Sequence, residues 1–151
     1  MLVLKPYADE LKRSLCESLR LISNVRLIES LEEFKFEKIE ENDIIVDGIF
    51  GFSYTPPLRP ELRPLFSALS STKVPIFSID VPSGWHVDDP NTEKLFSPKA
   101  NVSLTGVKPC MKGFEGEHYL STFFVPSEVY KEAGAEEPDV GDRSGLFVKL
   151  S

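Results

Sequence analysis

Cysteine is scarce in this chain: Cys16 and Cys110 are the only two among 151 residues, and they form no CxxC pair and no Cys/His cluster. That argues against a disulfide scaffold or a structural zinc site, and reduced thiols in a cytosol-like compartment are the expectation. Long apolar runs are missing too. No segment approaches the roughly eighteen residues that a membrane helix needs, and Met1 is not followed by a basic and then apolar signal pattern, so no membrane association is expected. Nor is there a surplus of basic charge. Lysine and arginine number 17 against 24 acidic residues, a net charge of −7, which argues against a sequence-independent grip on nucleic acid. An anionic small molecule is still allowed, because backbone amides at a helix N-terminus supply local positive potential. The chain contains no G-x-G-x-x-G, no G-x-S-x-G elbow, no internal repeat and no low-complexity tract.

What is present is an alternation of short apolar runs with amphipathic stretches, the pattern of an α/β sandwich around a largely parallel sheet. Residues 2–4 read as a strand ended by Pro6. Over 8–23, Leu11, Leu15, Leu19 and Ile22 recur at helical spacing and predict a helix with one buried stripe. Residues 25–28 read as a second short strand, and 29–42 as a turn of helix and loop. DIIVDGIF (43–50) is nearly continuous apolar, as a strand covered on both faces requires. Prolines 56, 57, 60 and 64 lead into a helix ending near Ser70. VPIFSID (74–80), KANVSLT (99–105) and residues 119–125 read as further strands, with a short helix over 126–131. Val46, Ile49, Ile76, Phe77, Ile79, Val102 and Leu104 are the expected sheet core, with helices on both faces.

Ligands of an open α/β sheet gather at the carboxyl ends of its strands. Asp47 lies there inside an apolar strand, where a carboxylate demands a cation or several hydrogen-bond donors. Capping a nearby backbone turn is the plainer alternative. Asp80 ends the next strand and is followed by Val-Pro-Ser-Gly, a turn that can aim Asp80 and Ser83 into a cleft or merely stabilise itself. Ser83 reads as an oxygen ligand or turn residue, not a nucleophile. Lys108 is placed to meet a phosphate or relay a proton, or else is a solvated loop lysine. Phe50 and Phe52 flank Gly51, and either could stack on a ring or pack in the core. His86 and His118 share no metal-ligand spacing and read as ordinary surface or half-buried residues.

Taken in order, VDGIFGFS, IDVPSGW, SLTGVK and YLSTFFVPSEVYKE resemble successive motifs of the NAD(P)HX epimerases, whose domain is known as the YjeF N-terminal fold. The closing FVKL is similar to that family's last strand. The resemblance is specific from Asp43 onward and loose before it. It implies a Rossmann-like three-layer α/β/α sandwich, with residues 1–151 as one partial domain. The implied reaction interconverts the R and S hydrates of NADH and NADPH, NADHX and NADPHX. The implied partners are a second copy in a homodimer and an NAD(P)HX dehydratase, in a cytoplasmic or mitochondrial setting. By the same resemblance Asp47 and Ser83 match potassium-ion ligands. Gly51, Phe52, Ser53, Tyr54, Thr55, Pro56 and Pro57 match the substrate-binding loop, and Asp80 matches a substrate-contacting carboxylate. Asp80 is the expected proton-transfer group, with Lys108 second.

Two departures accompany the resemblance. The family's glycine- and asparagine-rich phosphate loop, GNNGGDG-like, has no counterpart, since Met1 stands where the second strand is expected. The loop after GFS reads Thr55-Pro56-Pro57 where the family has Lys-Gly-Asp, and proline offers no backbone donor to a phosphate. A different class of function therefore stands beside the enzyme: a non-catalytic binding and dimerisation module like the related domains of mRNA-decapping scaffolds.

Overall fold

The computed structural model describes residues 10–22, 28, 30–31, 33, 39–40, 42–122, 125–139 and 147–150. The chain forms two compact units, residues 1–40 and 41–151. In the first, the helical spacing is realised as α1, Glu10–Arg20. Of the expected stripe Leu15 is exposed and Leu19 half-buried, and Ile22, just past the helix, is exposed. Periodicity reports that a face can be buried and not that a partner covers it. The strands expected at 2–4 and over most of 25–28 lie outside the described residues.

The second unit is built on five strands: β1 (Ile45–Asp47), β2 (Ile76–Ile79), β3 (Ala100–Leu104), β4 (Glu117–Ser121) and β5 (Val148–Lys149). They lie in sequence order across one sheet. The first four are parallel and β5 returns antiparallel to β4. A 3₁₀ turn, Pro60–Leu62, leads directly into α2, Arg63–Ser71. Prolines 60 and 64 stand in the opening turns of these helices, where an absent N–H costs nothing. A short α3, Ser127–Glu132, follows β4. The fold is α/β and Rossmann-like, as the residue pattern predicts.

The sheet departs from expectation in which row of side chains it hides. The register pairs Asp47 with Ser78, Ser78 with Asn101 and Asn101 with His118. All four of these polar residues are buried, as is Ser103. The alternate row carries Val46, Phe77 and Ile79, which remain 63%, 37% and 40% exposed. Of the seven residues expected in the core, only Ile76 is fully buried; Ile49, Val102 and Leu104 are half-buried. The correction has a simple cause. VPIFSID is apolar on both faces of a period-two strand, so nothing in it says which face is covered. The apolar core instead collects Leu65, Phe66 and Leu69 of α2 with Val81, Trp85, Phe96 and Met111.

Two strands end on residues in the left-handed region: Asp80 after β2 (φ 71°) and Thr105 after β3 (φ 69°). Neither is glycine, so each conformation costs of order 1–2 kcal/mol and needs external support. Thr105 finds it in Tyr130 of α3, whose buried phenol donates to the Thr105 carbonyl at 2.7 Å.

Candidate active site

The carboxyl ends of β1, β2 and β3 bring the sequence-selected residues together. Asp47 closes β1 and is 2% exposed. Its Oδ2 accepts hydrogen bonds from the Ser78 hydroxyl at 2.8 Å and the Ser83 backbone N–H at 2.9 Å. Among the described residues its Oδ1 accepts only the Ile49 N–H, at 3.3 Å. Several donors thus satisfy the buried charge, the condition that an apolar strand imposes on it. Ser83, also buried, accepts from the Phe50 N–H at 2.8 Å and donates to the Phe50 carbonyl at 3.3 Å. The Asp47–Ser83 pair therefore stitches the β1 loop to the β2 loop. Next to Ser83, Gly84 has φ 86°, and a Cβ there would lie 2.6 Å from Leu95, so only glycine fits.

Asp80 lies on the other side of the Val-Pro-Ser-Gly turn and is more accessible. Its Oδ2 accepts the Phe52 N–H at 3.0 Å, and its Oδ1 is ion-paired with Lys108 Nζ. Lys108 also donates to the Leu104 carbonyl. A Cβ on Gly51 would stand 3.0 Å from Asp80 Oδ2, so glycine lets the loop backbone close on the carboxylate. Both members of the Asp80–Lys108 pair keep some contact with solvent, with side-chain exposures of 13% and 18%. The pair is thus reachable from solvent and not sealed inside the fold.

The expected substrate loop divides in two. Gly51 and Phe52 belong to the Asp80 side, and Phe52 projects its ring outward. Tyr54, Pro56 and Pro57 line a separate cleft of about 510 Å³ with Arg63, Phe66, Glu93 and Leu95. Ser53 and Thr55 are exposed between them. The ambiguity of the two phenylalanines is resolved here. Phe50 stacks on Tyr54 (5.0 Å) and on Phe66 (6.0 Å), so it is packing, whereas Phe52 is free for contact. Burial and the nearby Glu93 carboxylate raise the Tyr54 phenol above its ordinary pKa.

Three residues escaped the sequence reading. Ser78 supports Asp47, as described. Asn101 donates to the Asp80 carbonyl at 3.3 Å and to the Ser103 hydroxyl at 3.4 Å, and Ser103 meets His118 Nε2 at 2.9 Å. The signal was the i, i+2 spacing of Asn101 and Ser103, which marks one polar face of a strand. His86 is half-buried, in keeping with its reading as an ordinary surface or half-buried residue, and its Nδ1 accepts from the Asp88 N–H at 3.3 Å. His118 is not half-buried but fully buried, edge-on to Phe114 at 5.8 Å.

Burial holds the His118 pKa below its ordinary value. The unfolded chain therefore binds a proton before the folded one does, and stability falls as pH drops through about 6.5, continuing down to the depressed folded value. Urea midpoints across pH 5.5–7.5 should fall toward the acid end, and in His118→Gln that slope should flatten. Equal slopes in the two proteins would remove His118 as its source.

An α/β domain with a parallel sheet and polar side chains gathered at its strand ends is, as a class, a Rossmann-like α/β domain. The family described as YjeF-related protein N-terminus matches residues 5–110, and the chain belongs to that family. A mosquito protein from Aedes aegypti named NAD(P)H-hydrate epimerase is 42% identical over 113 residues, covering 74% of this chain and 48% of its own length. Proteins of the same name from Schizosaccharomyces pombe and Caenorhabditis briggsae are 33% and 36% identical, each covering 89% of this chain and 57% of their own lengths. The chain thus spans about half the length of the curated relatives it matches. The crystal structure of yeast ynu0 superposes with a TM-score of 0.85 at 29% identity, covering 99% of this chain and 64% of that one.

Proposed function

We propose that this chain carries the reaction site of an NAD(P)H-hydrate epimerase, interconverting the R and S hydrates of NADH and NADPH. One observation carries the reading: Asp80, held by the Phe52 N–H and Lys108, is presented at the carboxyl ends of β2 and β3 in a left-handed turn. Inversion at the hydrated carbon requires the hydroxyl to depart as water, which needs a proton on its oxygen. Water then adds on the opposite face and gives up a proton. Asp80, receiving a proton from Lys108 across their contact, gives it to the departing hydroxyl and takes one back from the incoming water, which returns to Lys108. Phe52 and the cleft beside Tyr54 would receive the rings of the dinucleotide. A dehydratase specific for one hydrate would consume the product, and a second copy of the chain would complete a homodimer.

A potassium ion fits the Asp47 turn in its donor chemistry. Among the described residues Asp47 Oδ1 carries a single long hydrogen bond, and Ser83, whose N–H meets Oδ2, turns its hydroxyl to the Phe50 carbonyl. An all-oxygen set of this kind suits a hard cation. Asp47 and Ser83 would hold the ion, which supplies positive charge toward an anionic substrate.

The test separates the two epimers chromatographically after incubation with hydrated NADPH or NADH. Two proteins are compared: the 151-residue chain, and the same chain preceded by the family's glycine-rich segment. The longer form should exchange the epimers well above the spontaneous rate and the shorter one much less, since a diphosphate lacks its helix N-terminus there. No acceleration by either protein would end the reading.

A further inference from the structure

Asn101 is the residue that folding alone does not explain. It is 1% exposed in the middle of β3, and its Oδ1 has no hydrogen-bond partner among the described residues. A buried amide with an orphaned oxygen is less favourable than an apolar side chain of the same size. Orphans of this kind persist where the local geometry serves something else. The other end of the same amide shows what that is. Nδ2 donates to the carbonyl of Asp80, and the Asp80 N–H is taken by the Val102 carbonyl at 2.8 Å. Both peptide groups of a residue at φ 71° are therefore pinned by β3. The amide itself is steadied by Ser103, and Ser103 by His118 of β4.

We propose that Asn101 is a positioning residue, whose buried amide fixes the left-handed Asp80 turn and thereby aims the Asp80 carboxylate between the Phe52 N–H and Lys108. The inference rests on the epimerase reading for the reaction that Asp80 serves. The direction of the Asp80 side chain follows from its φ, so a turn that relaxes toward extended backbone swings the carboxylate away from Phe52. Proton transfer tolerates little such error, and a displacement near 1 Å costs on the order of 100-fold in rate.

Asn101→Leu removes both polar ends of the amide at nearly constant volume. In it the urea midpoint should hold or rise, because the orphan oxygen is gone. Hydrogen exchange of the Phe52 amide should quicken about tenfold or more as its acceptor moves. The kcat for hydrate exchange should fall about 10–100-fold with KM within about twofold. Ser103→Ala, which removes only the support of the amide, should shift Phe52 exchange in the same direction by less, and it carries the test should Asn101→Leu fail to fold. A lowered midpoint with unchanged Phe52 exchange would make Asn101 a structural residue and overturn the proposal. Faster Phe52 exchange in a protein whose parent accelerates no epimerisation would refute the epimerase reading while leaving the positioning role intact.

Discussion

In the form preceded by the family's glycine-rich segment, Asp80→Asn should lower the catalysed exchange of the R and S hydrates by about 10²–10⁴-fold, the usual worth of a general acid–base group. The amide keeps the size of the carboxylate and can still accept the Phe52 N–H, the bond that Oδ2 now makes at 3.0 Å. It cannot exchange a proton near neutral pH, so the loss falls on the chemical step more than on binding. His86→Ala is the control. That residue only closes a turn through the Asp88 N–H, and its rate should stay near that of the parent. A parent-like rate in Asp80→Asn would move the proton transfer to Lys108 or to bound water and leave Asp80 to orient the substrate.

The second large effect is on stability. Asp47→Ala should destabilise the protein by about 3–5 kcal/mol, a substantial part of an ordinary domain's total. The mutation strands the Ser83 N–H, the Ser78 hydroxyl and the Ile49 N–H in one buried place. Each orphaned donor costs roughly 1–3 kcal/mol, with some relief from a rotated serine hydroxyl. Asp47→Asn keeps one acceptor oxygen and should lose about half as much. Urea denaturation with an unchanged m-value measures both. A cost below about 1 kcal/mol for Asp47→Ala would mean that the turn holds without the carboxylate.

Part of this structure was legible in the residues. Proline placement announced α2, and four of the six apolar runs read as strands are the four parallel strands of the second unit. An aspartate within DIIVDGIF had to find a cation or several donors, and one of its donors is the serine turn expected to approach it. The side of the sheet that would be covered was not legible. Ile76 and Phe77 are equally apolar, and one is buried while the other is exposed. The Phe50 and Phe52 assignments had the same difficulty, since ring identity does not reveal which way a loop turns. Asn101 and Ser103 were missed for a different reason: their i, i+2 spacing marks a polar face, but what that face does depends on the pairing of β3 with β4 that brings in His118. The proton-transfer role proposed for Asp80 came from the family resemblance, whereas its left-handed backbone came from the coordinates alone.

The phenol of Tyr130, already described at the end of β3, has a longer reach than its size suggests. It joins α3 to the peptide of Thr105 across 25 residues of chain. Thr105 is a fixed point at the root of the short span that delivers Lys108 to Asp80. The short helix therefore acts as a doorstop behind that span, limiting how far the lysine can retreat from its partner. Substitutions in α3, far along the sequence from Asp80 and Lys108, would be felt first as slack in the ion pair.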